Sequence, residues 1–305
     1  MDIRPIVVGV DGSDGSAAAI RYGADRAYAS GRGLHLVHVA PVFIPLAGAA
    51  PLGTSYLPQD FDAVGRAVLA EAVEYARALM PSDRLTSALA VGARSAGLLH
   101  ESRHASEIVL GEDRTPLLER ISFGSMVAQV CAHSPVPVTC VPESWRPERR
   151  ELVVVGIHDY NHISLDLIRA GFVGAQERAG GIEFMHVWDL PPSYGRMVDS
   201  VMDFARWRTM VEHLIQKAVA EAVGPDAGPF AVQAVHGHPS HELHERSREA
   251  TLILLGHHRT GGFFDHLGGT GRALLRTSDC PIEVLPVSDP VARVGAVEHD
   301  ESLRS

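Results

Sequence analysis

Short apolar runs alternate with longer amphipathic segments along the chain. In the first half the apolar runs predict strands at 5–10, 34–40, 84–91, 106–111 and 136–141. The intervening segments repeat apolar residues every three or four positions, which predicts helices at 15–30, 60–79, 95–104 and 124–133. The strand runs are continuously apolar, as in parallel strands that helices cover on both faces. The pattern therefore predicts a doubly wound α/β fold.

The pattern occurs twice. The segment "IVVGVDGS" at 6–13 recurs as "LVVVGIHD" at 152–159, and four further segments recur in the same order at offsets of 144–148 residues. A tandem duplication of one unit explains this order. We predict two α/β domains, at residues 1–143 and 151–288, joined by a linker rich in proline and charged residues. The charged tail at residues 289–305 is predicted to be disordered.

Net charge and composition disfavour some kinds of binding partner and some cellular locations. The net charge of −10 disfavours nonspecific binding of nucleic acid, which needs a basic surface. No stretch approaches about 18 apolar residues without charge, so no membrane span is expected. The three cysteines have no metal-type spacing and indicate reduced thiols in a cytoplasmic protein; they are Cys131, Cys140 and Cys280.

Four features resemble the universal stress protein family in its tandem two-domain form. They are "VVGVDGS" in the first strand, "LVHV" in the second, the glycine-rich segment after the fourth strand of the second half, and "CPIEVLP" at the last strand. The resemblance covers nearly the whole chain up to about residue 288. It implies two five-stranded parallel sheets of the adenine-nucleotide alpha hydrolase-like type, packed as a pseudo-dimer through their last strands.

The resemblance also implies a function. Nucleotide-binding members of the family hold ATP. We therefore expect ATP as the ligand, with the presence of Mg²⁺ left open, and a regulatory role in the stress response through an unidentified partner protein. Their motif after the fourth strand is Gly, two residues, Gly, nine residues, then Gly-Ser or Gly-Thr. Glycines let backbone N–H groups approach phosphate, and the final pair opens a helix whose N-terminus attracts anions. Self-association of the chain into a homodimer is left open.

In the first half, the first and last glycines of the motif are present, and an arginine replaces the middle glycine. The acidic and proline-containing loop "GEDRTPLLERISFGS" disfavours phosphate there, whereas the nucleoside end is retained. The candidate nucleotide-binding residues of this half, by resemblance, are Val10, Asp11, Val39, Gly111, Arg114, Gly124 and Ser125.

The second half shows the opposite pattern. Its loop "GHHRTGGFFDHLGGTG" is rich in glycine, but histidine stands where the first-strand aspartate is expected, unless Asp159 replaces it through a one-residue shift. The candidate residues of this half are Ile157, His158, Val187, Gly256, His258, Arg259, Gly269 and Thr270.

Each motif also has a purely structural interpretation. Asp11 could serve only as a turn or helix-cap residue, and Thr270 only as the cap of a helix. The arginines at 114 and 259 could donate to phosphate or plug the site, and the sequence does not separate these alternatives.

The chain has 17 histidines, several of them near strand ends in the second half. They could converge on a transition metal, respond to pH, or be solvated loop residues. The groups concerned are His158/His162, His236/His238, His241/His244 and His257/His258, and His241 with Glu245 has a chelating helical spacing.

The sequence contains no recognisable catalytic motif. We therefore expect a protein that is not an enzyme, with at most weak ATP hydrolysis for which His258 is the nearest candidate base. The alternative functions are an interaction module with degenerate nucleotide sites and a histidine-based metal or pH sensor.

Overall fold

The computed structural model describes residues 4–41, 58–112, 125–147, 152–189, 204–258 and 267–287. The predicted tail and three of the predicted site residues, namely Arg114, Gly124 and Arg259, lie outside the described residues.

The first half alternates strands and helices as predicted, with bounds that differ by a few residues. Ser13 caps the first helix by accepting a hydrogen bond from the Ser16 N–H at 3.1 Å, and Gly31 ends it with a positive φ of 71°. The elements are β1 Ile6–Gly9, α1 Asp14–Ser30, β2 Leu34–Ala40, α2 Pro58–Arg77, β3 Leu85–Val91, α3 Arg94–Glu101, β4 Glu107–Gly111, α4 Met126–His133 and β5 Val138–Val141.

The second half repeats this order. Ser164 caps its first helix through the Leu167 N–H, as Ser13 does in the first half. The elements are β6 Leu152–Ile157, α5 Leu165–Glu177, β7 Gly181–Trp188, α6 Phe204–Val223, β8 Ala231–His236, α7 Pro239–Ser247, β9 Leu252–His258, α8 Gly269–Thr277 and β10 Ile282–Val287.

The strands form one ten-stranded sheet in the order β3-β2-β1-β4-β5-β10-β9-β6-β7-β8. Each half contributes five parallel strands, and the last strands of the two halves, β5 and β10, pair antiparallel. Thr139 lies opposite Glu283 at this junction, and the two residues hold equivalent positions in the repeat. The structure therefore confirms the predicted fold and the internal pairing of the halves.

The hydrophobic core differs between the two faces of the sheet. On one face a single cluster of buried side chains crosses the junction and includes Ile108, Val138, Ile253 and Ile282. On the other face each half has its own cluster. Burial of a continuous apolar cluster stabilises the two halves as one unit on the first face.

Between the separate clusters lies a buried polar network at the junction. Thr139 donates to Glu107 at 2.6 Å, and Arg26 of α1 contacts both Glu107 and Glu177. Burial and the neighbouring Glu107 raise the pKa of Glu283 to about 7. The junction therefore carries ionisable groups on one face and apolar groups on the other.

Within the described residues, no helix is long and apolar enough to cross a membrane.

Candidate functional site

A cavity of about 650 Å³ opens at the carboxyl ends of the second-half strands. Parallel sheets bind ligands at this edge, where the strand order reverses between β6 and β9. We call it the second-half cavity. Its boundary consists of the ends of β6, β7, β9 and β10 and the first turns of α5, α7 and α8.

One wall of the second-half cavity is apolar. Met185 and Val187 project from alternate positions of β7, and Leu243 of α7 faces the same space. All three side chains are buried within the fold. A flat apolar group such as a nucleobase is suited to this wall.

Another part of the lining is the start of α8. Gly268, Gly269, Thr270 and Gly271 line the cavity there, and the helix begins at Gly269. The first N–H groups of a helix have no partner within the helix and carry partial positive charge, so this wall favours an anion. Within the described residues, no hydrogen bond involves the Thr270 hydroxyl group, which is therefore available to a ligand.

The expectation that Thr270 could cap this helix is wrong. The cap position is Gly268, without a side-chain hydrogen bond, and Thr270 lies inside the first turn. In the first half the equivalent Ser125 does cap α4, accepting from the Ala128 N–H at 3.0 Å. The second-half helix begins earlier in the repeat, so its hydroxyl is not used for capping.

Two equivalent hydrogen bonds align the two halves at the end of their first strands. His38 donates from Nδ1 to the Val10 carbonyl at 2.7 Å, and His186 donates to the Ile157 carbonyl at 2.8 Å. Burial lowers the pKa of His186, which keeps its ring neutral at pH 7. The alignment places His158 at the position of Asp11, as the simplest reading of the sequence predicts.

By its hydrogen bonds, however, Asp159 and not His158 is the counterpart of Asp11. The Asp11 carboxylate accepts from the Ser13 N–H at 3.0 Å, and the Asp159 carboxylate accepts from the Asn161 N–H at 2.8 Å. Six residues separate Ile157 from the Ser164 cap, whereas two separate Val10 from Ser13. The longer loop thus restores an aspartate turn one position later.

The longer loop adds a second polar group to the second-half cavity. His162 lies 2.8 Å from the Asp159 carboxylate, and both residues line the cavity. Burial raises the pKa of Asp159, but hydrogen bonds from His162 and Asn161 outweigh this effect and hold the pKa below its usual value. Asp159 is therefore ionised at neutral pH and can accept hydrogen bonds from a ligand.

Among the described residues, the two halves differ in the space beside the glycine that ends the fourth strand of each half. A Cβ atom on Gly111 would lie 2.5 Å from the carbonyl carbon of Gly15, so α1 packs directly against the end of β4. At the equivalent Gly256 the nearest atom would be the end of the Leu167 side chain, at 3.3 Å. The longer loop before α5 is the sequence difference that accompanies this added space.

The predicted site residues therefore separate into groups. Those that line the second-half cavity are Ile157, His158, Val187, Gly256, Gly269 and Thr270. In the first half, Val39 packs against Gly97 of α3, Asp11 is held in its turn, and Val10 is buried. The backbone of His258 ends β9. The binding roles of all these residues stay predictions.

Several residues that line the cavity were not predicted from the sequence. Met185 lies two positions before Val187, so strand alternation would have placed it on the same face. Leu243 and Leu267 could not be assigned to the cavity, because their positions depend on how α7 and α8 pack. His257 is buried and contacts the first half through the Ala132 carbonyl at 3.3 Å.

The histidine groups do not converge on a metal site within the described residues, where no group of three or more potential ligands is found. His162 pairs with Asp159, His238 bonds to Ser240, and the ring of His236 packs at a tilt against Trp188 with ring centres 4.3 Å apart. Glu245, proposed to chelate with His241, forms an ion pair with Arg248. Local contacts therefore account for these side chains.

Comparison with known proteins gives consistent matches. The model of the universal stress protein family matches residues 2–142 and 151–286. A universal stress protein of Mycobacterium tuberculosis is 27% identical over 322 residues, covering 93% of this chain and 96% of the relative. A second one from that species is 26% identical over 294 residues, covering 92% and 96%.

Solved structures match in fold. A universal stress protein from Archaeoglobus fulgidus superposes with a TM-score of 0.65 at 18% identity, covering 94% of this chain and 98% of that chain. A functionally unknown protein from Pseudomonas aeruginosa superposes with a TM-score of 0.60 at 14% identity, covering 93% of both chains. Both share the architecture of this chain over its whole length.

Proposed function

The chain belongs to the universal stress protein family, and we propose that it binds one adenine nucleotide, ATP, in the second-half cavity. The observation that carries the proposal is the cavity itself. Its volume of about 650 Å³ joins an apolar wall to the start of α8. A nucleotide has the same division, with an apolar base at one end and anionic phosphates at the other.

The polar groups of the cavity fit this orientation. Thr270 and the first N–H groups of α8 donate to phosphate. Asp159 is an acceptor and is suited to ribose hydroxyl groups or the adenine amino group. Asp159 is the only carboxylate among the described lining residues, so Mg²⁺ would be held mainly by the phosphates themselves.

The first half has a structural role in this proposal. The backbone of α1 leaves no room for a side chain at Gly111, and Val39 contacts α3 at Gly97. Loss of binding in one half is consistent with the acidic, proline-containing loop predicted to be unsuitable for phosphate. We therefore expect one nucleotide per chain.

The proposed role is regulatory rather than catalytic. Binding at the start of α8 would order the neighbouring backbone and change the surface that a partner protein meets. We place this function in the cytoplasm, because the three cysteines are free and buried, as expected for a reducing compartment.

The second candidate function is an interaction module without nucleotide. The tight packing at Gly111 favours it, because α1 lies directly against the end of β4 in one of the two duplicated halves. The two functions differ in whether the chain binds ATP at all.

The test begins with the freshly purified chain. Denaturation and chromatography would identify bound nucleotide, and equilibrium dialysis with labelled ATP would give the stoichiometry. We expect one ATP per chain. Two per chain would overturn the proposal of a single site, and none by either method would leave the interaction module as the function.

A matched pair of variants assigns the site to one half. Asp11→Ala and Asp159→Ala each remove one aspartate turn, so their effects on folding are similar. We expect Asp159→Ala to weaken ATP binding about tenfold, because a hydrogen bond to a charged group is lost, and Asp11→Ala to leave binding unchanged. The opposite result would assign the nucleotide to the first half.

A further inference from the structure

The two halves contact each other beside their candidate sites as well as at the sheet junction. Two helices make these contacts. Each begins at the site of its own half, and its last turn reaches a residue next to the site of the other half.

The first contact runs from the second half to the first. Helix α8 begins at the second-half cavity, and the Leu275 carbonyl in its last turns accepts from the Cys140 thiol at 3.6 Å. The same sulfur lies 3.5 Å from the Gly111 carbonyl, at the start of the first-half loop. Cys140 is buried between these two carbonyl groups.

The second contact runs in the opposite direction. Helix α4 begins at the Ser125 cap of the first half, and its last turn presents the Ala132 carbonyl to His257 at 3.3 Å. His257 lines the second-half cavity. Carbonyl groups in the last turn of a helix have no partner within the helix, so both contacts satisfy groups that would otherwise be buried without a hydrogen bond.

From these contacts we infer that nucleotide binding in the second-half cavity is transmitted to the first half through α8 and Cys140 and through His257 and α4. The inference rests on the proposed function, because the ligand that begins the change is the nucleotide of the second-half cavity.

The length of the helices supplies the physical reason. Helix α8 has nine residues and α4 has eight, and helices this short are marginal without contacts at their ends. A short helix orders as one cooperative unit, so an anion that holds the first turn of α8 also stabilises its last turn. A ligand that favours the ordered helix shifts its population and thereby stabilises the contact with Cys140.

The Cys140 thiol provides a direct measurement. In a full-length Cys131→Ala/Cys280→Ala background, a small disulfide reagent reacts with Cys140 only when the surrounding structure opens, so the labelling rate reports that local opening. We expect saturating ATP with Mg²⁺ to slow the labelling at least fivefold. Labelled ATP in equilibrium dialysis would measure binding to the same sample.

The control separates transmission from general stabilisation. Ala76 of α2 is fully buried in the outer core of the first half, far along the sheet from the junction. A chain that carries Ala76→Cys in the same Cys131→Ala/Cys280→Ala background keeps Cys140, and peptide mass spectrometry measures the labelling of each thiol separately. The labelling rate at position 76 should not change with ATP. Equal slowing of both thiols would show global stabilisation and overturn the inference.

Failure of the inference is distinguishable from failure of the proposed function. ATP that binds in dialysis without slowing Cys140 labelling overturns the transmission and leaves the binding proposal intact. An absence of binding overturns both. If the cysteine substitutions impair folding, hydrogen exchange on the unaltered chain provides the same test, because ATP should protect Gln129–His133 of α4 as well as α8; protection confined to α8 would overturn the inference.

Discussion

At the scale of single residues, two pairs of equivalent positions in the repeat differ in their contacts. Ser125 uses its hydroxyl oxygen to cap α4, whereas Thr270 lies inside the first turn of α8 and faces the second-half cavity. The α1 backbone lies against Gly111, whereas the nearest atoms to Gly256 are the ends of side chains. Duplicated residues have therefore acquired different roles through their surroundings.

The first prediction concerns Thr270. Thr270→Val should weaken ATP binding about tenfold, because one hydrogen bond to a charged phosphate is lost while the shape is kept. The matched control is Thr277→Val at the other end of the same helix, whose hydroxyl bonds the Ala273 carbonyl. Isothermal titration calorimetry checks both variants. A similar loss in the two variants would argue against contact between Thr270 and the ligand.

The second prediction concerns the glycine pair. Gly111→Ala should destabilise the fold by about 2 kcal/mol, because its Cβ would overlap the Gly15 backbone at 2.5 Å. Gly256→Ala should cost less than about 1 kcal/mol, because a flexible Leu167 side chain is the nearest neighbour at 3.3 Å. Urea denaturation measures both, and equal effects would contradict the difference in packing.

At the scale of secondary-structure elements, α7 depends on one buried ion pair. Arg246 of α7 binds the Glu183 carboxylate of β7 through two hydrogen bonds, at 2.9 and 2.7 Å, and Gln233 of β8 adds a third at 3.1 Å. The Glu183 side chain is 3% exposed. The pair therefore fixes the helix that carries Leu243 into the cavity.

The third prediction removes this pair. Arg246→Met should destabilise the chain by about 3 kcal/mol, because it leaves a buried carboxylate without its charged partner. The control is Arg248→Met, whose ion pair with Glu245 is solvent-exposed and should contribute less than about 1 kcal/mol. Urea denaturation of the two variants compares them directly. A loss as small as that of the control would mean that Glu183 is satisfied without Arg246.

At the scale of the whole molecule, the junction between the halves carries a buried acid pair. Glu283 of β10 faces Glu107, and the guanidinium groups of Arg26 and Arg178 only partly offset the effect of burial on its pKa. Tyr22 adds to the same cluster through a hydrogen bond from Arg178 at 3.0 Å. The folded chain therefore retains a proton on this pair at a pH where the unfolded chain has released it.

The fourth prediction follows from the sign of this shift. Because the folded pKa of Glu283 is about 7 and its ordinary value is 4.5, the folded chain binds more protons between these values. Stability should therefore fall as pH rises from about 4.5 to about 7, by up to about 3 kcal/mol from this group. Glu283→Gln should remove that part of the slope, and Glu71→Gln, at an exposed position of α2, should not. Urea denaturation at pH 5 and pH 7.5 measures the difference, and an unchanged slope in Glu283→Gln would contradict a shifted pKa.

The sequence by itself determined the repeat and the order of strands and helices. The elements depend on local periodicity and on apolar runs, which are read within a window of a few residues, whereas the pairing of the halves was implied by the family resemblance. The family resemblance also identified positions at the carboxyl ends of the strands, and six of the predicted residues line one cavity. The domain boundaries stay a prediction.

Only the tertiary structure decided how closely other elements approach the equivalent glycines. The sequence placed a glycine at both 111 and 256, but the space around each depends on where α1 and α5 pack, and hence on the length of the loop before them. The surroundings of Leu243, His257 and the Glu107–Glu283 pair also depend on packing, because their contacts come from elements that are distant in the chain. Local patterns specify elements, whereas the contacts between elements specify a cavity and the ionisation of buried groups.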